Sequence, residues 1–187
     1  MPFTGNNIVT QWNESALAEN YIFQVLNNNR EVVSETVVTN TLFTYTAAKA
    51  GVDFDGSPER DLSVRVIASN SLGDAPVIEE LNLLNPPPSP PTNISAVVDS
   101  NNGVVAVVTA SWDISAEEDF KEFVVYASDI SGFTPDDDNE VARLTGNTAT
   151  FDTSVANSPS SIFYIVKTID NWGEHDNGLS TEQELTL

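Results

Sequence analysis

The chain repeats itself at an offset of 100 residues, and this repeat constrains the fold more than any other feature of the sequence. The matching pairs are Trp12/Trp112, Phe23/Phe123, Val25/Val125, Leu62/Ile162, Val66/Val166, Asn70/Asp170 and Gly73/Gly173. They lie in or beside short apolar stretches that alternate as β-strands do. A repeat of about 100 residues made of such stretches indicates two copies of one small all-β domain.

One strand-like stretch matches at a different offset, since residues 40–46 are similar to residues 147–153. The second copy therefore carries extra residues before this stretch, in the acidic segment 133–140, and the first copy regains them in residues 47–56. Both segments have the polar, Gly- or Pro-containing composition of loops. Insertions that fall in loops and leave the apolar stretches in register are typical of a duplicated scaffold.

Alternating stretches bounded by Gly, Asn, Asp and Pro recur along both copies, and helical periodicity is almost absent. In the first copy they predict strands at 7–12, 21–27, 31–38, 41–46, 60–70 and 77–84. In the second copy they predict strands at 92–99, 103–113, 120–128, 140–145, 148–152, 162–170 and 181–187. This order predicts an all-β chain of two tandem immunoglobulin-like antiparallel β-sandwiches.

We expect a first domain over residues 1–86, a proline-rich linker over 87–91 and a second domain over 92–187. Proline cannot donate ladder hydrogen bonds and favours an extended spacer. The first copy has no counterpart of the strand at 92–99, so its next strand has an open edge. Three explanations stay open: the edge strand is dispensable, the chain is an excerpt of a longer one, or another segment pairs with the edge.

Charge and composition limit the partners that the chain can bind. With 28 acidic and 7 basic residues its formal net charge is −21, which argues against nucleic acid and anionic membrane surfaces. The amino terminus shows no signal peptide, and no apolar stretch approaches the ~20 residues of a membrane helix, so we expect no membrane insertion. The chain has no cysteine, so neither disulfides nor thiolate metal sites contribute to its stability.

Two motifs resemble fibronectin type III domains. Residues 62–70 with Gly73, and residues 162–170 with Gly173, resemble that family's sixth strand and following turn, and Trp12 and Trp112 resemble its core tryptophan. The usual corner tyrosine is replaced by Leu62 and Ile162, so we expect its hydroxyl-to-backbone bond to be missing.

A narrower resemblance is to the fibronectin type III modules of siphophage tail-tip proteins, the host-specificity or central tail proteins. Residues 65–73, 83–88 and 128–135 carry it. It implies a virion protein in the phage tail whose partners are other tail proteins or copies of itself, and a host-surface receptor or glycan. Secreted bacterial glycan-degrading enzymes and adhesins carry similar modules, which leaves an extracellular or cell-surface location as the alternative.

Catalysis has little support in the sequence. His175 is the only histidine, and it lies in a segment of turn composition, so we interpret it as a solvated loop residue. With 28 acidic residues, the proximity of two carboxylates carries no information about a glycosidase site. We therefore expect no enzymatic activity and no organic cofactor.

A calcium site is the one metal site that the sequence suggests. Asp136, Asp138 and Glu140 supply hard oxygen ligands close together, as do Asp53 and Asp55. Neither group has the spacing of an EF-hand loop, and an unpaired acidic loop is the alternative.

Trp172 is the candidate binding residue, because it lies where the loop between the last two strands begins. An exposed aromatic ring there would anchor a sugar or a protein. The alternative is a ring folded back over the neighbouring strand. Together these features predict a non-enzymatic structural and binding module of a phage tail tip. The alternative is a spacer or accessory module of a secreted bacterial carbohydrate-active enzyme or adhesin.

Overall fold

The structure is a computed structural model that describes residues 1–56, 58–75, 79–145, 150–156, 160–173 and 175–187, with only the backbone of residues 79, 151 and 153–156. The chain divides into two compact units. Unit 1 contains Met1–Pro86 and Asn171–Gly173, and unit 2 contains Pro87–Asp170 and Glu174–Leu187.

Unit 1 is an antiparallel sandwich of two sheets. Its elements are β1 (Asn7–Gln11), β2 (Asn20–Leu26), β3 (Val32–Val38), β4 (Leu42–Thr46), α1 (Ala47–Asp53), β5 (Asp61–Asn70), β6 (Gly73–Asp74) and β7 (Glu79–Leu84). One sheet consists of β1 and β4. In the other sheet β2 pairs with β3 and β5, and β5 also pairs with β6 and β7. Side chains from both sheets meet in one core.

The described residues of unit 2 form seven strands, as the sequence predicts. They are β8 (Ser95–Asn101), β9 (Val105–Ser111), β10 (Phe120–Ser128), β11 (Glu140–Thr145), β12 (Thr150–Ala156), β13 (Ser161–Asp170) and β14 (Gln183–Thr186). The sheet orders are β12-β9-β8 and β11-β10-β13-β14. A short 3-10 helix over Asp176–Gly178 lies between the last two strands. The predicted all-β sandwich class is confirmed.

The repeated apolar positions form the cores. Phe23 and Val25 in unit 1, and Phe123 and Val125 in unit 2, are buried. The pairing beside them does not follow the offset of 100, because Val25 pairs with Val64 whereas Val125 pairs with Val166. A slip of two residues keeps the same side chains on the inner face, so an apolar pattern tolerates it.

Helix α1 lies within residues 47–56, whose composition predicts a loop, so that prediction was wrong for these residues. Thr46 accepts a hydrogen bond from the Lys49 amide at 3.1 Å and caps the helix, while Ala47 and Ala50 are buried against the core. Alanine favours helix, but seven residues are too few to show a helical period. Within the described residues, no helix is long and apolar enough to cross a bilayer.

Asp53 stabilises the C-terminal end of α1 through hydrogen bonds. Its carboxylate accepts hydrogen bonds from the Tyr45 hydroxyl at 2.9 Å and from Lys49 Nζ at 3.0 Å. Burial opposes ionisation, but the bonds from Lys49, Ser34 and Tyr45 outweigh it and hold the pKa of Asp53 below its ordinary value. Burial is also the main cause of the raised pKa of Tyr45.

The stability of unit 1 should therefore depend on acid through Asp53. A carboxyl group with a lowered folded pKa stabilises the fold above its unfolded pKa, and this contribution is lost as the pH falls through the folded pKa. We expect the melting temperature of unit 1 to fall below about pH 4 more steeply in the parent chain than in Asp53→Asn. The exposed Asp61→Asn is the control, and thermal unfolding across acid pH measures the effect. An unchanged pH profile in Asp53→Asn would contradict this role.

Candidate binding site

Two connections of unit 1 lie side by side at one end of its sandwich. They are the β1–β2 connection, residues 12–19, and the turn after β5, residues 70–73. Asn70 Nδ2 donates to the Leu17 carbonyl at 2.9 Å, and Ser71 Oγ donates to Glu19 at 3.1 Å. The Glu19 amide also donates to the Ser69 carbonyl at 2.9 Å. These bonds fix the two connections to each other.

This arrangement presents two leucines to solvent. The Leu72 amide donates to Asn70 Oδ1 at 2.8 Å, and Gly73 then takes a φ of +127°, which favours glycine. The tight turn leaves the Leu72 side chain 95% exposed, and Leu17 on the neighbouring connection is 78% exposed. We call this surface, Leu17 and Leu72 with their two connections, the leucine end.

A shallow cavity of about 330 Å³ lies at the leucine end. Its lining residues are Ser15, Leu17, Ala18, Ala68, Ser69, Asn70, Leu72, Gly73, Asp74 and Ala75. They include one carboxylate and no histidine, lysine or arginine, so they offer no acid–base pair. An apolar surface with the Asp74 carboxylate beside it suits binding to an apolar partner surface that has basic groups at its rim.

Trp172 does not stand at an exposed loop tip. The structure includes it in unit 1, where its ring is 1% exposed and belongs to the core cluster. Its Nε1 donates to the Gly5 carbonyl at 3.1 Å, and its ring meets Phe3 edge to face at 4.8 Å between centroids. A buried ring cannot anchor a sugar or a protein, and the folded-back alternative is closer to what the structure shows.

Leu72 is a binding candidate that the sequence patterns did not single out. It lies 100 residues before Trp172, at the same place in the same kind of turn, and each turn ends in a glycine of positive φ. The repeat could have pointed to it. What the repeat could not show is that one side chain is buried and the other exposed.

The three proposed calcium ligands are not gathered into a ligand set. Asp136 Oδ1 accepts from the Asp138 amide at 3.1 Å and from Asn139 Nδ2 at 2.7 Å, which closes a turn. Both Glu140 oxygens accept from Arg143 at 2.9 Å. Across the described part of the chain, no group of three or more His, Asp or Glu side chains is placed to hold a metal ion. Calcium binding at this loop stays a prediction.

His175 has a local structural role. Its Nδ1 accepts from the Asn177 amide at 3.1 Å and caps the short 3-10 helix. The residue is half-buried. Because Nδ1 accepts this bond, the ring proton lies on Nε2 in the tautomer that forms it.

No family model matches the chain, and no curated protein sequence matches it. Solved structures do match. The chain is similar to the FN1–FN3 domains of chicken CNTN1, with 16% identity and a TM-score of 0.42, over 99% of this chain and 64% of that one. It is also similar to the spore cortex lytic enzyme SleM of Clostridium perfringens, with 19% identity and a TM-score of 0.43, over 64% of this chain and 36% of that one. The chain thus spans less than two thirds of either, and these likenesses carry no argument about function.

Proposed function

We propose that the chain is a non-enzymatic structural and binding module of a bacteriophage tail tip. In this role the two sandwiches space or present the parts of the assembly that contact other proteins or the host surface. The observation that carries the binding role is the leucine end, where two hydrogen-bonded connections hold two exposed leucines beside a cavity.

The energetics favour a protein partner for this surface. Burying a leucine side chain contributes about 1.5–3 kcal/mol, so two of them supply the centre of a modest interface. Bonds between the connections reduce the conformational entropy that binding would cost. With a net charge of −21, a partner with basic groups around an apolar centre is favoured over an acidic one.

The proposed location of the chain in a phage tail rests on three sequence segments that resemble siphophage tail-tip modules, residues 65–73, 83–88 and 128–135. Immunogold electron microscopy with an antibody against the chain tests it. We expect gold particles at the distal end of the tail on phage particles that contain the chain. Labelling confined to the bacterial envelope or to secreted enzyme would contradict the proposal and favour the spacer alternative.

The leucine end itself is tested by competition. The purified chain should slow adsorption of the parent phage to its host cells, and the double variant Leu17→Ser/Leu72→Ser should compete about 100-fold more weakly. The control is Val37→Ser/Val52→Ser, which removes two exposed valines elsewhere in unit 1. Equal competition by the parent and the leucine variant would exclude the leucine end as the contact surface.

A further inference from the structure

Strand β1 has one free edge. The Trp12 amide donates to the Thr41 carbonyl at 3.0 Å, and the Ala47 amide donates to the Asn6 carbonyl at 2.8 Å, so the even-numbered residues bond towards β4. In an antiparallel ladder the alternate residues then point their N–H and C=O groups the other way. These are Asn7, Val9 and Gln11, and no strand among the described residues pairs with them.

In unit 2 a strand, β8, covers the edge that corresponds to the free edge of β1. At the offset of 100, residues 7–11 correspond to 107–111, and β8 pairs with every one of these residues of β9 in antiparallel register. The inward-facing Ala110 and Trp112 are buried beside β8, whereas Thr10 and Trp12 are only half-buried. Residues 1–3 do not fill the place of β8, because they pair with Leu84 of β7 in the other sheet.

Strand β1 also has no charged side chain, whereas most of the other edge strands have an acidic one. An acidic side chain on an edge strand discourages pairing with another chain. Apart from β4 beside it, every edge strand of the described sheets has one: Glu35, Asp74, Glu80, Asp99, Glu140, Asp152 and Glu184. β1 reads Asn-Ile-Val-Thr-Gln, and its central Val9 is 63% exposed.

We propose that two copies of this chain pair through β1, antiparallel and across a two-fold axis at Val9. Val9 then faces Val9, and Asn7 faces Gln11. In this register the residues whose N–H and C=O groups are free, Asn7, Val9 and Gln11, bond to those of the second copy, so both edges are satisfied at once. Ile8 and Thr10 of both copies lie on the same face of the continuous sheet, so the second β1 covers the core edge as β8 does in unit 2.

The oligomeric state of the full chain tests this pairing. In sedimentation equilibrium we expect a monomer–dimer equilibrium at sub-millimolar concentration. Val9→Lys, which sets two like charges opposite each other, should raise the dimer Kd roughly tenfold or more. Because the side chain is exposed and the Val9 amide does not bond to β4, this variant should fold. The control Val37→Lys adds the same charge to an exposed valine of β3 and should leave the Kd unchanged.

A cross-link locates the interface. The chain has no cysteine, so Val9→Cys should form a covalent dimer on mild oxidation and Val37→Cys should not. A monomer up to millimolar concentration, or a dimer that neither changes in Val9→Lys nor cross-links at Val9→Cys, would overturn the proposal. A monomer that instead binds a synthetic peptide of residues 93–101 would overturn the second copy as the occupant. The pairing is independent of the leucine end, so Leu17→Ser/Leu72→Ser should leave the Kd as it is.

Discussion

Replacing Trp172 with alanine should lower the free energy of unfolding of unit 1 by about 3–5 kcal/mol. The ring is 1% exposed, contacts Phe3 edge to face, and donates to the Gly5 carbonyl. Its removal leaves a cavity in the core cluster and a carbonyl without its donor, and each of these destabilises. Urea unfolding followed by the remaining tryptophan fluorescence measures the change.

The repeat supplies the matched control. Leu72 occupies the same place 100 residues earlier and is 95% exposed, so Leu72→Ala should change the free energy of unfolding by no more than about 0.5 kcal/mol. If the two substitutions cost the same, Trp172 does not pack as the structure shows. A stable Trp172→Ala chain that no longer binds its partner would restore the exposed-anchor hypothesis.

Gly178→Ala should destabilise unit 2 by about 3 kcal/mol. A Cβ atom at this position would lie 2.3 Å from the Thr168 carbonyl oxygen and 3.3 Å from Pro88 Cγ. The first of these is a backbone atom of β13, so it cannot move without disturbing the strand. The melting temperature of unit 2 is the quantity to measure.

The control substitution, Gly51→Ala, should change stability in the opposite direction. Gly51 lies in α1, and a Cβ atom there meets nothing within 4 Å. Alanine is favoured over glycine by about 1 kcal/mol inside a helix, so Gly51→Ala should stabilise unit 1. If Gly178→Ala were as stable as the parent chain, the turn before β14 would not pack against the Thr168 carbonyl as closely as the structure shows.

Much of the fold follows from the sequence because its signals are local. The alternation along residues 105–111 predicts β9, and the match of Phe23 with Phe123 locates the same strand in both units. Buried apolar faces with a period of two specify which side of a strand faces the core. The edge of β1 that stays free among the described residues could be predicted in the same way.

The remaining features depend on contacts that no local pattern encodes. Helix α1 is too short to show a period, and its stability comes from Ala50 and Asp53 against the core. A slip of two residues between β10 and β13 leaves the apolar alternation unchanged, so the sequence cannot detect it. Nothing in the turns around Leu72 and Trp172 tells which of the two side chains is buried, because that depends on what surrounds each of them.

These features fit a protein that works in an assembly. The leucine end offers an apolar surface, and β1 offers a strand edge without charge, while the other edges apart from β4 are protected by acidic side chains. The sandwich of unit 1 carries both surfaces, and the net charge of −21 disfavours nonspecific association of the rest of the molecule.

Among the described residues of unit 1, no strand covers the edge of β1 that corresponds to the edge of β9 covered by β8 in unit 2. Amide hydrogen exchange followed residue by residue by NMR in dilute solution tests it most directly. The amides of Val9 and Gln11 should exchange about 100-fold or more faster than those of Thr109 and Ser111, their counterparts beside β8, and should become protected as the concentration rises. Equal protection of Val9 and Thr109 in the dilute monomer would contradict the claim.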